Sequence, residues 1–299
     1  MNNDDARSPR IHEDPALFKE AVGFTAAKTG FSKRLIEKDY FCTVLLAYLA
    51  SQRDSKLVFK GGTCLAKVHA EFYRMSEDLD FVIPVATTSS RSERSRQAST
   101  IKKHFSTVSI SEPHMRLAEP LRGANESRQY LGKVSYESLV QPGEDTIKIE
   151  VALREPLITP AVHGSARTAL RDPISSEALV PEFPIRCISK TEAFAEKFRA
   201  ALTRREVAIR DFYDIDYGVT KLGLQSTDDE MVKLVRKKIA VPGNDPVDVS
   251  DTRISRLRDQ LEARLRPVLR DRDYRQFDLD RAIGTVLQMA ELLGNAEKT

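Results

Sequence analysis

Lys60-Gly61-Gly62-Thr63 is followed, one helix length later, by Ser76-Glu77-Asp78-Leu79-Asp80-Phe81. Leu57, Val58 and Phe59 read as a short buried strand that runs into the two glycines, and residues 63–72 have helical character. Residues 79–83 read as a second strand. Side chains alternate across a strand, so Asp78 and Asp80 share one face while Leu79 and Phe81 share the other. Two carboxylates on one sheet face are hard oxygen ligands of the kind Mg²⁺ takes, and they leave positions open for water and phosphates. A Gly-Gly-Thr turn at a helix N-terminus offers those phosphates backbone N–H groups and the positive end of a dipole. The combination points to transfer of a nucleotidyl or phosphoryl group.

Further along, residues 130–139 and 146–153 alternate as paired strands around the turn Gln141-Pro142-Gly143-Glu144-Asp145. In the second of them Ile147, Ile149, Val151 and Leu153 share the core face. Glu150 then lies on the opposite face, the side expected for Asp78 and Asp80. The expectation is a third carboxylate: two hold the metal that carries the nucleotide, and the third helps a second metal activate the attacking hydroxyl. The alternative is an ordinary exposed glutamate on a half-buried strand.

Ser189-Lys190-Thr191-Glu192 reads as a capping box that opens a helix. On that helix Lys190, Ala193, Phe194, Lys197, Ala201 and Arg204 fall on one stripe. A lysine inside a small, apolar stripe is unusual, because lysines rarely face inward without a partner. Lys197 is therefore a candidate for contact with a nucleotide phosphate, flanked by Lys190 and Arg204, against the alternative of a snorkelling side chain. On that reading its removal leaves stability near wild type or higher. Arg210-Asp211-Phe212-Tyr213-Asp214 opens the next helix. Asp211 there suits the helix dipole, and Asp214 reads as a partner for Arg210.

The chain has 299 residues, enough for a sizeable core and two lobes. Three segments follow from the pattern: a disordered polar N-terminus over 1–14, a mixed lobe over 15–188 with helices near 15–28 and 33–50, and a helical lobe over 189–299. Residues 154–184 read as a loop-dominated connection. No apolar run approaches the ~20 residues that span a bilayer, and the N-terminus has no apolar segment of the secretory type. Cys42, Cys64 and Cys187 are isolated and odd in number, so a cytoplasmic chain without disulfides is expected. Net charge is +3, which permits nucleic-acid binding without demanding it. Arg91, Arg94, Arg96, Lys102, Lys103 and His104 form the main basic stretch. The P-loop, the dinucleotide-binding glycine fingerprint, the nucleophile elbow, His-Glu-x-x-His and Cys-x-x-Cys are all missing from the sequence. A zinc site is thus not expected, and His69 reads as a packing residue.

The Gly-Gly turn followed by Asp-x-Asp on the next strand resembles the polymerase β-like nucleotidyltransferase signature. Phe59-Lys60-Gly61-Gly62-Thr63 with Arg74-Met75-Ser76-Glu77-Asp78-Leu79-Asp80 is similar to one branch of it, the AbiEii/AbiGii-type toxins, MenT-like toxins among them. Ile36-Glu37-Lys38-Asp39-Tyr40 resembles that family's N-terminal helix. The segments from Ala195 to Leu202 and from Arg210 to Asp214 resemble its two downstream motifs. The resemblance implies an α+β fold: a polymerase β-like core with a small mixed sheet and helices, then a C-terminal helical lobe. It also implies Mg²⁺-dependent (Mn²⁺ possible) transfer from an NTP by a toxin with a cognate antitoxin and no membrane partner. Lys197 and Asp211 match motif residues and are expected in the active site with Asp78, Asp80 and Glu150. Gly61, Gly62, Thr63, Ser76, Lys190 and Arg204 are expected at the nucleotide. Some relatives extend the 3′ end of tRNA, so tRNA or another RNA is the leading acceptor, with translation blocked as the outcome. A protein hydroxyl receiving AMP or UMP is the second reading, and a non-catalytic NTP- or RNA-binding toxin the third.

Overall fold

The strand that carries Asp80 lies in the middle of a seven-stranded mixed sheet in order β3-β4-β5-β2-β1-β7-β6. The strands are β1 (Val58–Lys60), β2 (Leu79–Val82), β3 (Met115–Ala124), β4 (Gln129–Glu137), β5 (Glu144–Ala152), β6 (Val162–Ala166) and β7 (Phe183–Cys187). This is a computed structural model, and it describes residues 9–52 and 54–295. β2 pairs antiparallel with β1 and parallel with β5, and β1 pairs parallel with β7. The chain divides into two compact units. The first runs to Leu157 and resumes from Ala161 to Ile188, and the second takes Ile158–Pro160 and everything from Ser189.

In the first unit, helices α1 (Pro15–Thr29) and α2 (Lys33–Ala50) precede the sheet. Pro15 at the first helical position and Asp14 as N-cap, accepting from Ala16 and Leu17 N–H, start α1; Gly30 at φ 82° ends it. Phe18, Ile36, Phe41 and Leu45 join Phe59, Phe81, Ile149 and Val151 in one buried cluster. That cluster is the core face predicted by the strand alternation. Burying a large apolar side chain of this kind contributes roughly 1.5–3 kcal/mol.

Three features differ from the sequence expectation. Residues 1–8 of the supposedly disordered terminus lie outside the described residues. Ile11–Glu13 form a 3-10 turn in which buried His12 meets the Tyr40 hydroxyl through Nδ1 at 2.7 Å. The helical stretch after the glycines is α3 (Gly61–Cys64) followed by a π turn, Leu65–His69. In keeping with its helical potential, the polar stretch from 87 to 105 forms α4 (Arg91–Gln97) and α5 (Ser99–Ser106), with α6 (Val108–Ser111) after it. Strands β3 and β6 were not foreseen. β3 is an edge strand with Pro120 inside it and register shifts on both sides of Glu119, so it lacks a clean period of two. β6, the other edge, lies inside the stretch expected to be loop.

The charged residues of Ile36–Tyr40 are internal anchors. Glu37, fully buried, accepts from Leu139 N–H (2.6 Å), Val140 N–H (3.2 Å) and the Ser138 hydroxyl (2.6 Å), holding the turn after β4. Lys38 reaches Asp145 at 3.2 Å and Glu77 at 3.3 Å. Asp39 receives Lys67 Nζ at 2.5 Å and the Thr168 hydroxyl at 2.8 Å. One helical turn thereby fixes the approach to Asp78, the π turn and the segment after β6.

The second unit is helical: α7 (Lys190–Thr203), α8 (Ile209–Leu222), α9 (Asp229–Ile239), α10 (Asp251–Gln260), α11 (Asp271–Gln276) and α12 (Leu279–Asn295). Ser189 caps α7, accepting from Glu192 N–H at 3.1 Å. The Glu192 side chain does not close the expected capping box. It accepts from Ile158 N–H (3.1 Å), Thr159 N–H (2.8 Å) and the Thr159 hydroxyl (2.6 Å), and it pairs with Lys238 at 2.7 Å. This is why residues 158–160 belong to the helical unit. Gly218 lets α8 approach α7, since a Cβ there would lie 2.6 Å from the Phe194 ring.

Candidate active site

Lys60, Asp80 and Glu150 form a row across β1, β2 and β5, because Lys60 is the register partner of Asp80 and Asp80 that of Glu150. Register partners share a face, so both carboxylates leave the same side of the sheet. Both are part-exposed, unlike the neighbouring row Phe59, Phe81 and Val151, which is buried. Asp78 sits just before β2 and is also part-exposed. Its backbone carbonyl accepts a short hydrogen bond from the buried Thr63 hydroxyl, so the threonine of the turn ties α3 to the carboxylate strand.

The two glycines have separate reasons to be glycines. Gly61 has φ 77°, and a Cβ built on it would lie 2.2 Å from Asp80 Oδ2 and 2.9 Å from Asp80 Cγ. The Asp80 carboxylate therefore rests against the bare backbone of Gly61. A Cβ on Gly62 would lie 2.6 Å from Arg74 Nη2 and 3.1 Å from Ser76 Oγ. Arg74 is buried, and its Nη1 donates to Met75 O at 3.0 Å. The turn is thus bordered by carboxylate on one side and by guanidinium and hydroxyl on the other. An anionic phosphate bridged by a cation needs this distribution of charge. Asp78, Asp80 and Glu150 would offer carboxylate oxygen only, a chemistry that suits Mg²⁺ or Mn²⁺ and does not suit a thiophilic metal.

In the helical unit, Lys197 Nζ lies 2.7 Å from Asp211 Oδ1 and 2.7 Å from Asp214 Oδ2. Arg204 Nη1 reaches Asp211 Oδ2 at 3.1 Å. Burial pushes the Asp211 carboxyl up, but Lys197 and Arg204 outweigh it and hold the group below its ordinary range. The structure therefore brings Lys197, Asp211 and Arg204 together. Asp214 is fully buried and pairs with Lys197 as well. Lys190, at the start of α7, is part-exposed.

The basic stretch divides. Arg94 is buried and donates to Ser89 O and to Glu126 O, and His104 is buried with Nε2 3.0 Å from Asp54. Arg91, Arg96 and Lys103 are exposed, and Lys102 lies over the Tyr130 ring at 4.5 Å.

The three cysteines are not equivalent either. Cys42 is buried in apolar surroundings that push its thiol up to about 12. Cys64 and Cys187, expected to be isolated, lie together with His69: their ligand atoms are all within 4.8 Å of one another. A hydrogen bond from Cys64, against the cost of burial and with help from His69, takes the Cys187 thiol down to about 5. Residues so far apart in sequence carried no motif that could reveal this cluster.

The sheet and the glycine turn accord with the class that the family match shows, a nucleotidyltransferase. The chain belongs to the family described as nucleotidyl transferase AbiEii toxin, type IV toxin–antitoxin system, whose model matches residues 43–287. Among solved structures it is similar to MenT4, a nucleotidyltransferase toxin of Mycobacterium tuberculosis, with 20% identity, a TM-score of 0.57 and coverage of 92% of this chain and 89% of that one. It is also similar to JHP933 from Helicobacter pylori, with 15% identity, a TM-score of 0.52 and coverage of 90% and 95%. At these identities the two structures speak for the fold. No curated protein sequence matches. Among the described residues no helix is long and apolar enough to cross a membrane.

Proposed function

We propose that this enzyme transfers a nucleoside monophosphate from an NTP to the 3′ end of tRNA in the cytoplasm, and that the added nucleotides block aminoacylation and hence translation. The observation that carries the reading is the Lys60–Asp80–Glu150 row beside the Gly61-Gly62 turn. Asp78, Asp80 and Glu150 would hold Mg²⁺. When bound, the cation neutralises triphosphate charge and makes the attacking hydroxyl more acidic. The Gly61 and Gly62 backbone and the Ser76 hydroxyl receive phosphate oxygens. Arg74 keeps the second half of that turn positive. Thr63 fixes the spacing between turn and strand through the Asp78 carbonyl.

Lys197 and Asp211 are assigned to the active site by their match to the family's motifs. Their mutual ion pair, which Arg204 joins, supports a rigid charged station, and Lys190 and Arg204 are taken as further phosphate contacts by the resemblance alone. A toxin of this family works against a cognate antitoxin, which is the expected protein partner. The exposed Arg91 and Lys103 and the part-exposed Lys102 are the first candidates for the RNA backbone, with exposed Arg96 in place of Arg94, expected in that group but buried; Arg199, Arg204 and Arg205 are the second group. The test is incubation with each α-labelled NTP and total RNA plus protein. Label in tRNA supports the reading; label in a protein band with tRNA unchanged hands the case to AMP or UMP transfer.

A further inference from the structure

We propose that Cys64, His69 and Cys187 form a binding site for a thiophilic divalent cation, with Zn²⁺ as the reference ion, separate from the carboxylate site. The argument begins with the backbone. Cys64 ends α3 and His69 ends the π turn that follows it. In an α-helix, residues five apart point about 140° away from each other. The π turn, with its wider i to i+5 closure, brings His69 back beneath Cys64. The third ligand comes from the sheet: Cys187, the last residue of β7, is the register partner of Phe59 on β1.

The three ligand atoms lie within 4.8 Å of one another. Zn–S and Zn–N bonds of about 2.3 and 2.1 Å in a tetrahedron separate ligands by roughly 3.6–3.8 Å, so the cluster needs only a small contraction around an ion. His69 Nε2 lies 3.0 Å from the Ile188 carbonyl, which can only accept. Nε2 therefore carries the proton, and Nδ1 is left with the lone pair. A metal-binding imidazole commonly has this arrangement, with the far N–H held by a carbonyl that sets the tautomer. Gly164 on β6 forms one wall, where a Cβ would lie 3.1 Å from Cys187 Sγ and 2.3 Å from Val68. Both thiols are fully buried and His69 is part-exposed, so the open fourth position lies on the histidine side. Cys64 follows Thr63 directly, so a bound ion pins the nucleotide turn to β7.

The test uses the full chain, reduced and stripped with a chelator. Zn²⁺ is titrated against a chromogenic chelator, and Cd²⁺ is added while thiolate-to-metal charge transfer is recorded in the ultraviolet. The expected result is one Zn²⁺ per chain, a Cd²⁺ band of two-thiolate intensity and a raised melting temperature. The band is halved or lost in Cys187→Ser and kept in Asp80→Asn, which removes transfer but not this site. The absence of stoichiometric uptake and of a band in the wild-type chain overturns the proposal, with no variant needed. Uptake that survives in both Cys187→Ser and Cys64→Ser also overturns it. So does a Cys64–Cys187 disulfide that forms under mild peroxide while the reduced chain takes no Zn²⁺. None of these outcomes depends on nucleotidyl transfer.

Discussion

Asp80 and Glu150 are register partners on adjacent parallel strands, and their carboxylates stand side by side on the face away from the Phe59–Phe81–Val151 core. Neighbouring like charges repel, which makes the pair a poor structural element and a good cation ligand. Asp80→Asn and Glu150→Gln should each fold with an unchanged melting curve. Each should lose transfer by on the order of a thousandfold, as when several kcal/mol of transition-state stabilisation is removed. Equal activity in Asp80→Asn and wild type rules out the metal role.

Gly61→Ala should damage activity more than stability. The new methyl meets the Asp80 carboxylate at 2.2 Å and the backbone is held at φ 77°. Gly143→Ala is the control: φ is 92° but nothing lies within 4 Å. Both variants bear the left-handed backbone cost of about 1–2 kcal/mol, and only Gly61→Ala should lose turnover. Comparing thermal melts with initial rates separates the two effects.

Lys197→Ala should lower the melting temperature, contrary to the expectation drawn from an inward-facing lysine. Its removal leaves Asp211 and Asp214 buried without their shared cation, a loss of about 3–5 kcal/mol for a buried pair. Adding Asp214→Asn should recover part of the loss. If Lys197→Ala melts as wild type does, the ion-paired station is wrong.

Stability should fall as pH drops through mild acid. Burial, and next to it His114, hold the His12 imidazole down to about 4, whereas in the unfolded chain it titrates near its ordinary 6.5. Between those values the unfolded state binds more protons, so stability is complete above 6.5 and is lost progressively towards 4. Asp211 adds a second loss at lower pH, because its carboxyl is held below its ordinary range. Melting temperature followed against pH should show a shallower slope between 6.5 and 4 in His12→Gln. An unchanged slope removes His12 from the account.

Neutralising Arg91, Arg96, Lys102 and Lys103 together should reduce labelling of all tRNA species alike, flatten its salt dependence and leave NTP binding intact. Arg94→Ala belongs to a different class. Its guanidinium holds Ser89 O and Glu126 O, so the variant should melt early.

The parts of this chain governed by local periodicity were legible in its sequence. The glycine turn, the carboxylate strand, the face of Glu150 and the limits of α2 all follow from alternation or helical spacing. What escaped was set by partners distant in sequence. The charges of Glu37, Lys38 and Asp39 look like a solvated helix face, yet they are buried against residues in other elements. Glu192 fits a capping box but is claimed by Thr159 and Lys238. β3 hides behind Pro120 and its bulges, and no spacing rule joins Cys64 to Cys187.

The most direct measurement is sequencing of tRNA 3′ ends after incubation of total RNA with the four NTPs, Mg²⁺ and either wild-type protein or Asp80→Asn. The account predicts extra nucleotides beyond the mature 3′ end with wild type and none with the variant. Unmodified tRNA ends in the wild-type reaction, or extension that persists in Asp80→Asn, would contradict it.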